Sequence, residues 1–518
     1  MDYPIWDLAM GGGMLMALVA VPHVIVAHFA VGGGLLIAVT ETLGVRRNDP
    51  ELRELAKRSS LVLILVSTVY GAISGVGIWV VAGLISPGAI SSLIHNYVWG
   101  WAIEWVFFIL EIVAALVYYG TWGKISKKAH MMVGWLYFVG AYGSLVVING
   151  IITFQLTPGK WLESHAFWDG FFNPTYWPAT LLRTGIALMM AAAFMIFPAA
   201  KSREAGSRLV RYIGGWLVAG SLISYVGYRW WETQLGETTR ALFLGESPTM
   251  ATLAATRSLT LWALAVALVL AIVFLMAFPR MVKGVVPGVL VMVAAFAFFG
   301  GYERLREGSR KPFLIHSHQF SNGLLVEDIE RINSMGLQAY TGWMTIEGSE
   351  DPVVIGRQVF KRQCSACHTL AGYQSITEAL PTFGEMMAVV ADDPPGSGAV
   401  AYEAGCASCH PDSAYEEMVE FMPGAEEMRA DKEMVLDLLA GMITGTLEQL
   451  RDMGPAYAEA DRTAQFDTQT TAYPMMPPFV GNDEDLEALA AYLGTLTSVT
   501  CRQYRREVDN DSGPDSCG

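Results

Sequence analysis

The sequence predicts an all-α protein: a polytopic membrane helix bundle of about eight transmembrane helices, both ends outside the cytoplasm, followed by a smaller α-helical domain. Three observations lead there. The chain has 518 residues, 53% hydrophobic and only 16% charged, which is too apolar for an ordinary soluble protein. Its apolar residues gather in eight runs, each near the ~20 residues that cross a bilayer as a helix. Its charge is split: residues 353–518 carry 10 Lys/Arg against 27 Asp/Glu, a net of −17, and the rest carries 24 against 22, a net of +2.

The runs lie near 9–43, 59–85, 96–121, 131–156, 179–200, 208–232, 254–279 and 285–302. The first is long for one crossing, so its ends extend beyond the lipid. It starts too far in for a cleaved signal peptide and lacks a basic leading region, so it reads as a retained helix. Orientation comes from the loops. Arg46, Arg47, Arg53, Lys57 and Arg58 separate the first two runs, and Lys124, Lys127 and Lys128 the third and fourth. Lys201, Arg203, Arg208 and Arg211 follow the fifth run, and Arg280 and Lys283 the seventh. The alternate loops are poor in Lys and Arg, so every second loop is cytoplasmic. The chain then starts outside and returns outside near residue 303. The aromatic loop 157–178 fits an outer interfacial belt.

In the tail, "GRQVFKRQCSACHTL" holds Cys364, Cys367 and His368 as C-x-x-C-H, and "GCASCHPD" holds Cys406, Cys409 and His410. This order reads as covalent heme attachment, with two thioethers holding the porphyrin and the His ligating iron. Zinc binding and a redox dithiol are the alternatives. A close repeat in an exported acidic segment favours two covalent heme c groups, since attachment is completed outside the cytoplasm, where the loops place this tail. The stretch "YPMMPPFVGNDEDLEALAAYLGTL" resembles the end of a class I cytochrome c. That resemblance implies Met476 as axial thioether and a last helix packed on the first. Met475 is its neighbour, and a buried packing Met is the other account. For the second heme, Met418, Met422, Met428, Met434, Met442, His316 and His318 all stay open.

These readings divide the chain into a membrane domain (1–302), a linker (303–352), a periplasmic diheme cytochrome c domain (353–497) that is one unit or two lobes, and a C-terminal tail (498–518). A Pro/Gly/Asp-rich loop, 391–405, separates the two motifs. Cys501 and Cys517 either pair, which needs an oxidising compartment, or stay free thiols. The acidity argues against nucleic acid. It either suits a basic soluble periplasmic redox partner or serves solubility.

Ionisable residues inside a membrane are costly and point to function. His23 and His28 lie in "VPHVIVAHFAVGGGLLIAVTETLG", five apart and so on different sides of a helix. A lone helical His is often a hydrogen-bonded core residue; the apolar depth of His23 favours a heme ligand. Glu104 and Glu111, in "WAIEWVFFILEIVAALVYYG", are seven apart and share one helix face. Carboxylates in a row suit proton transfer; the alternative is packing specificity through an Arg or a water. Arg183 lies in "PATLLRTGIALMM".

The stretches "VPHVIVAHFAVGGGLLIAVTETLGV", "WGWAIEWVFFILEIVAALVYYGTW", "KKAHMMVGWLY" and "VVINGIITFQLTP" resemble subunit I of the cytochrome bd-type quinol oxidases, and "EGSRKPF" is similar to that family's Gly-Arg-Gln-Pro-Trp signature. The resemblance implies that His23, eighteen residues before Glu41, ligates a membrane heme b. It implies that Glu104 and Glu111 are the family's paired acids, that His130 and Met131 are structural, and that a homologous second membrane subunit is a partner. The chain departs from the pattern elsewhere. Arg183 stands where a low-spin heme b ligand is expected, with Arg257 near the partner position. Gly300, with Glu303 one turn away, stands at the glutamate ligand. The quinol-binding loop shrinks to about 233–253. An Arg cannot ligate iron but neutralises a propionate or a buried carboxylate.

Three functions follow. The preferred one is a membrane-anchored respiratory electron-transfer subunit in a bacterial inner membrane, passing electrons between periplasmic c-type hemes and a membrane or partner centre. The others are a cytochrome c-fed, bd-like terminal oxidase and a heme-depleted scaffold of a larger respiratory complex.

Overall fold

The computed structural model describes residues 3–6, 8, 11–202, 206–244, 251–281, 286–344, 350–370, 375–380, 432–459 and 476–508. Among these described residues, eight helices are long and apolar enough to cross a membrane: α1 (Gly12–Arg46), α2 (Pro50–Ile85), α3 (Pro87–Gly120), α4 (Lys127–Leu156), α5 (Tyr176–Ala200), α6 (Gly206–Thr233), α7 (Leu253–Ala277) and α8 (Val286–Gly308). Helices α9 (Pro352–Gln363), α10 (Lys432–Glu459) and α11 (Asp483–Val508) follow. Among the described residues the only strands are a short antiparallel pair, β1 (Phe313–Ile315) and β2 (Gln319–Phe320). The protein is all-α in class, as the sequence predicts.

Local chemistry sets the helix starts. Asp49 caps α2 by accepting from the Glu51 and Leu52 amides, with Pro50 at the first position. Ser126 caps α4 through the Ala129 amide, and Asp351 caps α9 through the Val353 amide with Pro352 behind it. The third helix begins well before its apolar run because it is two helices merged across a kink at Tyr97. Inside α2, residues Ile64–Gly71 widen into a π-turn, a feature often found at functional sites.

The chain forms two compact units, residues 16–81 with 90–310 and residues 1–15 with 82–89 and 311–518. In the first, α5 is the central helix: 78% of its apolar window is buried, against 17–44% for the other seven. Close approach around α5 is made by small residues. A Cβ on Gly227 of α6 would lie 2.5 Å from the Leu182 amide nitrogen. Outward, Trp99, Trp262, Ile73 and Leu259 are about 70% exposed, a surface suited to lipid.

The second unit packs around Phe313, Phe320, Ile332, Val359, Leu447 and Leu489. Residues 313–344, expected as a linker, thus contribute to the same core as the tail helices. Helix α9 crosses α11 at Gly356, where a Cβ would sit 1.9 Å from the Ala488 carbonyl oxygen, and Phe360 meets the Tyr492 ring at 5.7 Å. Asn482 and Asp485 form a reciprocal cap on α11: Asn482 Oδ1 accepts from the Asp485 amide, and Asp485 Oδ2 from the Asn482 and Leu337 amides.

Candidate functional site

His23 sits on α1 with its ring against α2. Its Nδ1–H donates to the Gly71 carbonyl and lies within reach of Ser74 Oγ, both at 3.1 Å. Nε2 has no hydrogen-bond partner among the described residues. A Cβ on Gly75 would come 3.0 Å from His23 Cε1, so the glycine leaves the ring its space. A committed Nδ1–H with an uncommitted Nε2 is the arrangement of a metal-ligating imidazole whose tautomer is fixed by its surroundings. His23 therefore fits a heme iron.

His28 points elsewhere. It is buried, donates from Nδ1 to the Val24 carbonyl at 2.7 Å, and accepts at Nε2 from Arg183 Nη1 at 3.4 Å. Arg183 pairs with Glu303 on α8 at 2.8 Å, and Glu303 with Arg306 at 2.9 Å. The row continues through Glu307 and Arg310 to Gln155 of α4. Arg183 thus neutralises a buried carboxylate, and Glu303 is held by two arginines. Neither is presented as an iron ligand, and this corner does not fit a low-spin heme. Arg257 pairs with Glu232 at 2.7 Å and is equally committed.

Glu104 and Glu111 share one face of α3 and meet α4. Ser144 Oγ donates to Glu104 at 2.7 Å and Tyr137 Oη to Glu111 at 3.0 Å. Two partners singled out by neither composition nor motif, Ser144 and Tyr137, complete this pair. Both are also seven apart, and polar residues recurring every seventh position on α4 were the available signal. One heptad further, Tyr118 of α3 faces His130 of α4, with Glu41 of α1 between them.

In the tail unit α9 ends at the first motif. The amides of Cys367 and His368 both donate to the Cys364 carbonyl, winding Cys364, Cys367 and His368 into one turn. Gln363 clamps the loop that carries Met476: its Nε2 donates to the Val480 carbonyl at 2.8 Å, and its Oε1 accepts from the Val480 amide at 3.0 Å. Cys364 and Met476 both pack on the common core. Burial, with Cys367 beside it, pushes the Cys364 thiol up to about 12, which disfavours a reactive dithiol. The donor set Cys364, Cys367, His368 and Met476 fits heme c.

His316 is packed against the Phe313 ring, and burial pushes it down to about 4. Met442 is half-buried on α10. Cys406, Cys409, His410, Met418, Met422, Met428, Met475, the loop 391–405 and Cys517 lie outside the described residues, as do the side chains of Met434 and Cys501.

Residues 13–203 match the family model for cytochrome bd terminal oxidase subunit I. The putative cytochrome bd menaquinol oxidase subunit I of Bacillus subtilis (strain 168) is 26% identical over 184 residues, 34% of this chain and 40% of the relative. The chain thus spans about 40% of the length of the curated relative it matches. The bd oxidase from Geobacillus thermodenitrificans has the same fold over 58% of this chain and 87% of that one, with a TM-score of 0.53 at 17% identity. The membrane part of this protein is a cytochrome bd subunit I-like domain.

Proposed function

We propose that this protein is a membrane-anchored respiratory electron-transfer subunit of a bacterial inner membrane, passing electrons between c-type hemes of a periplasmic tail and a heme b on His23. The observation that carries this reading is the turn ending α9. There Cys364, Cys367 and His368 are wound into one turn, and Cys364 packs on the core that Met476 also packs on. Heme, when bound, supplies a one-electron couple. The chain's part is to hold it: thioethers from the two cysteines, imidazole from His368, thioether sulfur from Met476. Cys406, Cys409 and His410 supply a second attachment site by the same chemistry.

In the membrane domain, His23 has its tautomer fixed by Gly71 and Ser74, and Glu104 and Glu111 form a proton path that neutralises charge arriving in a low-dielectric interior. The Arg183–Glu303 pair limits the membrane hemes to fewer than the bd pattern carries. The proton path also favours a second reading, a cytochrome c-fed terminal oxidase with the oxygen-reactive heme on His23. A homologous second membrane subunit and a soluble periplasmic redox protein are the partners of either reading.

Counting hemes by type tests this. The pyridine haemochrome of purified protein is expected to show two heme c and at least one heme b per chain, and the mass of the denatured chain to include both covalent groups. His23→Ala should remove the heme b and Cys364→Ala one heme c. Only c-type bands in the unmodified protein sink the membrane-heme reading and leave a scaffold. A high-spin, CO-binding heme selects the oxidase.

A further inference from the structure

Three glycines in a row, Gly11, Gly12 and Gly13, lead into α1. Such a run costs backbone entropy and calls for a reason. Gly11 has φ +81°, a conformation glycine adopts without strain, and a Cβ there would lie 2.3 Å from Thr369 Cγ2. A Cβ on Gly12 would lie 2.9 Å from Ile85 Cβ at the end of α2, and one on Gly13 4.0 Å from the Ala366 carbonyl oxygen. Two of the three glycines therefore meet the first C-x-x-C-H turn, and the third meets the helix beside it. All these residues belong to the unit of residues 1–15, 82–89 and 311–518.

The same turn is fastened from a second side. The Trp6 amide donates to the Leu84 carbonyl at 3.0 Å, tying the start of the chain to the end of α2. Gln319 Nε2 donates to the Gly323 carbonyl at 3.0 Å and to the Gly88 carbonyl at 3.4 Å, where α3 begins. Arg362 Nη1 donates to the Asn322 carbonyl at 2.6 Å, and Asn322 Nδ2 to the Gln363 carbonyl at 3.4 Å. The residues just before Cys364 are thus held by the segment after β2, and that segment by the corner between α2 and α3. Between these pieces lies a crevice of about 60 Å³, with room for a few waters, lined among others by Trp6, Ile85, Ser86, Ser321, Ser365 and Ala366. Ser365 and Ala366 are the two residues between the motif's cysteines. None of residues 364–370 is exposed, and Thr369 is buried.

We propose that the start of the chain and the α2–α3 corner are a docking seat for the first C-x-x-C-H turn, which closes its Ser365–Ala366 face to soluble partners. This rests on the reading of Cys364, Cys367 and His368 as a heme c site. A redox protein that approached the motif over those two residues would have to displace Trp6, Gly13 and Ile85, which already occupy the space. A soluble partner therefore meets the tail elsewhere. The first motif is kept against the start of α1, the helix that also carries His23, so its heme c is the inward-facing one. Gly11 is the positioning residue: it has no side chain to push Thr369, the neighbour of His368, out of the seat.

The test uses the full chain with its hemes. A Cβ on Gly11 would lie 3.7 Å from Thr369 Cβ, a separation that a disulfide spans. Gly11→Cys with Thr369→Cys is therefore expected to form a bridge, read by the mass of the linked peptides. Reduction of the tail by a basic soluble cytochrome c, used as the probe, should run at the unmodified rate in the bridged protein. A rate that drops tenfold and returns when the bridge is opened would place the partner on this face and overturn the proposal. So would the absence of any bridge. Gly11→Ala should quicken hydrogen exchange over residues 364–370 roughly tenfold or more, from the clash and the left-handed backbone together. Adding Thr369→Ser, which deletes the clashing Cγ2, should recover part of that protection; exchange unchanged by Gly11→Ala would mean there is no seat. If the purified chain carries no heme at Cys364, the heme reading falls, and the bridge and the exchange still decide whether the turn is seated. If the probe does not reduce the unmodified tail, the soluble-partner reading falls, and the same two readouts decide the seat.

Discussion

His316 shows how one side chain ties stability to pH. It packs on Phe313 at the turn between β1 and β2, with Nδ1 2.9 Å from Ser317 Oγ. Burial holds it near 4, below the ordinary value of 6.5. Between those values the unfolded chain binds a proton that the folded chain refuses, so stability falls as pH drops from about 6.5 toward 4. Asp485 works with the opposite sign: burial raises its carboxyl, and acid relieves that cost. Protection factors over residues 313–344, measured relative to the intrinsic exchange rate at each pH, are therefore expected to fall from pH 7 to pH 5, and His316→Gln should flatten the change. Equal slopes in both proteins would show that another group controls it. At this scale the sequence was informative where a charge interrupts an apolar run, which is why His23, Glu104, Glu111 and Arg183 could be singled out. Ser144 and Tyr137 were not singled out: their seven-residue spacing was there to read, but a polar hydroxyl in an apolar run does not show which helix it faces until its partner helix is known. The Arg183–Glu303 pair needed the α5–α8 contact in the same way.

At the scale of elements, hydropathy located all eight membrane helices because a lipid-facing helix must be apolar along a whole span. It did not locate their ends, which depend on caps such as Asp49 and on the kink at Tyr97. The segment 313–344 was illegible for a different reason. Its apolar residues, Phe313, Phe320, Leu324, Ile329, Ile332 and Leu337, follow neither a period of two nor of 3.6, because short turns rather than one long helix bring them to the core. The crossing of α9 and α11 gives the prediction at this level. A side chain at Gly356 meets the Ala488 carbonyl carbon at 2.5 Å as well as its oxygen, and a backbone carbonyl cannot rotate away. Gly356→Val should separate the helices, costing about 3 kcal/mol or more. Limited proteolysis would then cut within 352–363 much faster, and if Met476 ligates a heme at Cys364, as proposed, that ligand would be lost, read as a shift in the optical spectrum. An unchanged cleavage pattern would mean that α11 slides without penalty.

The whole molecule is two chemistries in one chain: residues 1–352, which hold the membrane part, of net +2, and a tail of net −17 from residue 353 onward. Charge at that density acts on encounter rather than on fold. It speeds association with a positively charged partner and is screened within about 30 Å at 0.01 M salt and 8 Å at 0.15 M. If the tail exchanges electrons with a basic soluble protein, the second-order rate should fall several-fold between those two ionic strengths, while reduction by a neutral small molecule stays constant. The paired measurement matters because salt also affects detergent-solubilised membrane proteins in general, and the neutral donor reports that background. Charge-neutralising Glu→Gln changes at Glu484 and Glu487, both on α11, should reduce the salt dependence without altering the neutral-donor rate. A rate to the basic partner that ignores salt would assign the acidity to solubility alone, and the partner would then be sought among membrane subunits that dock by apolar contact.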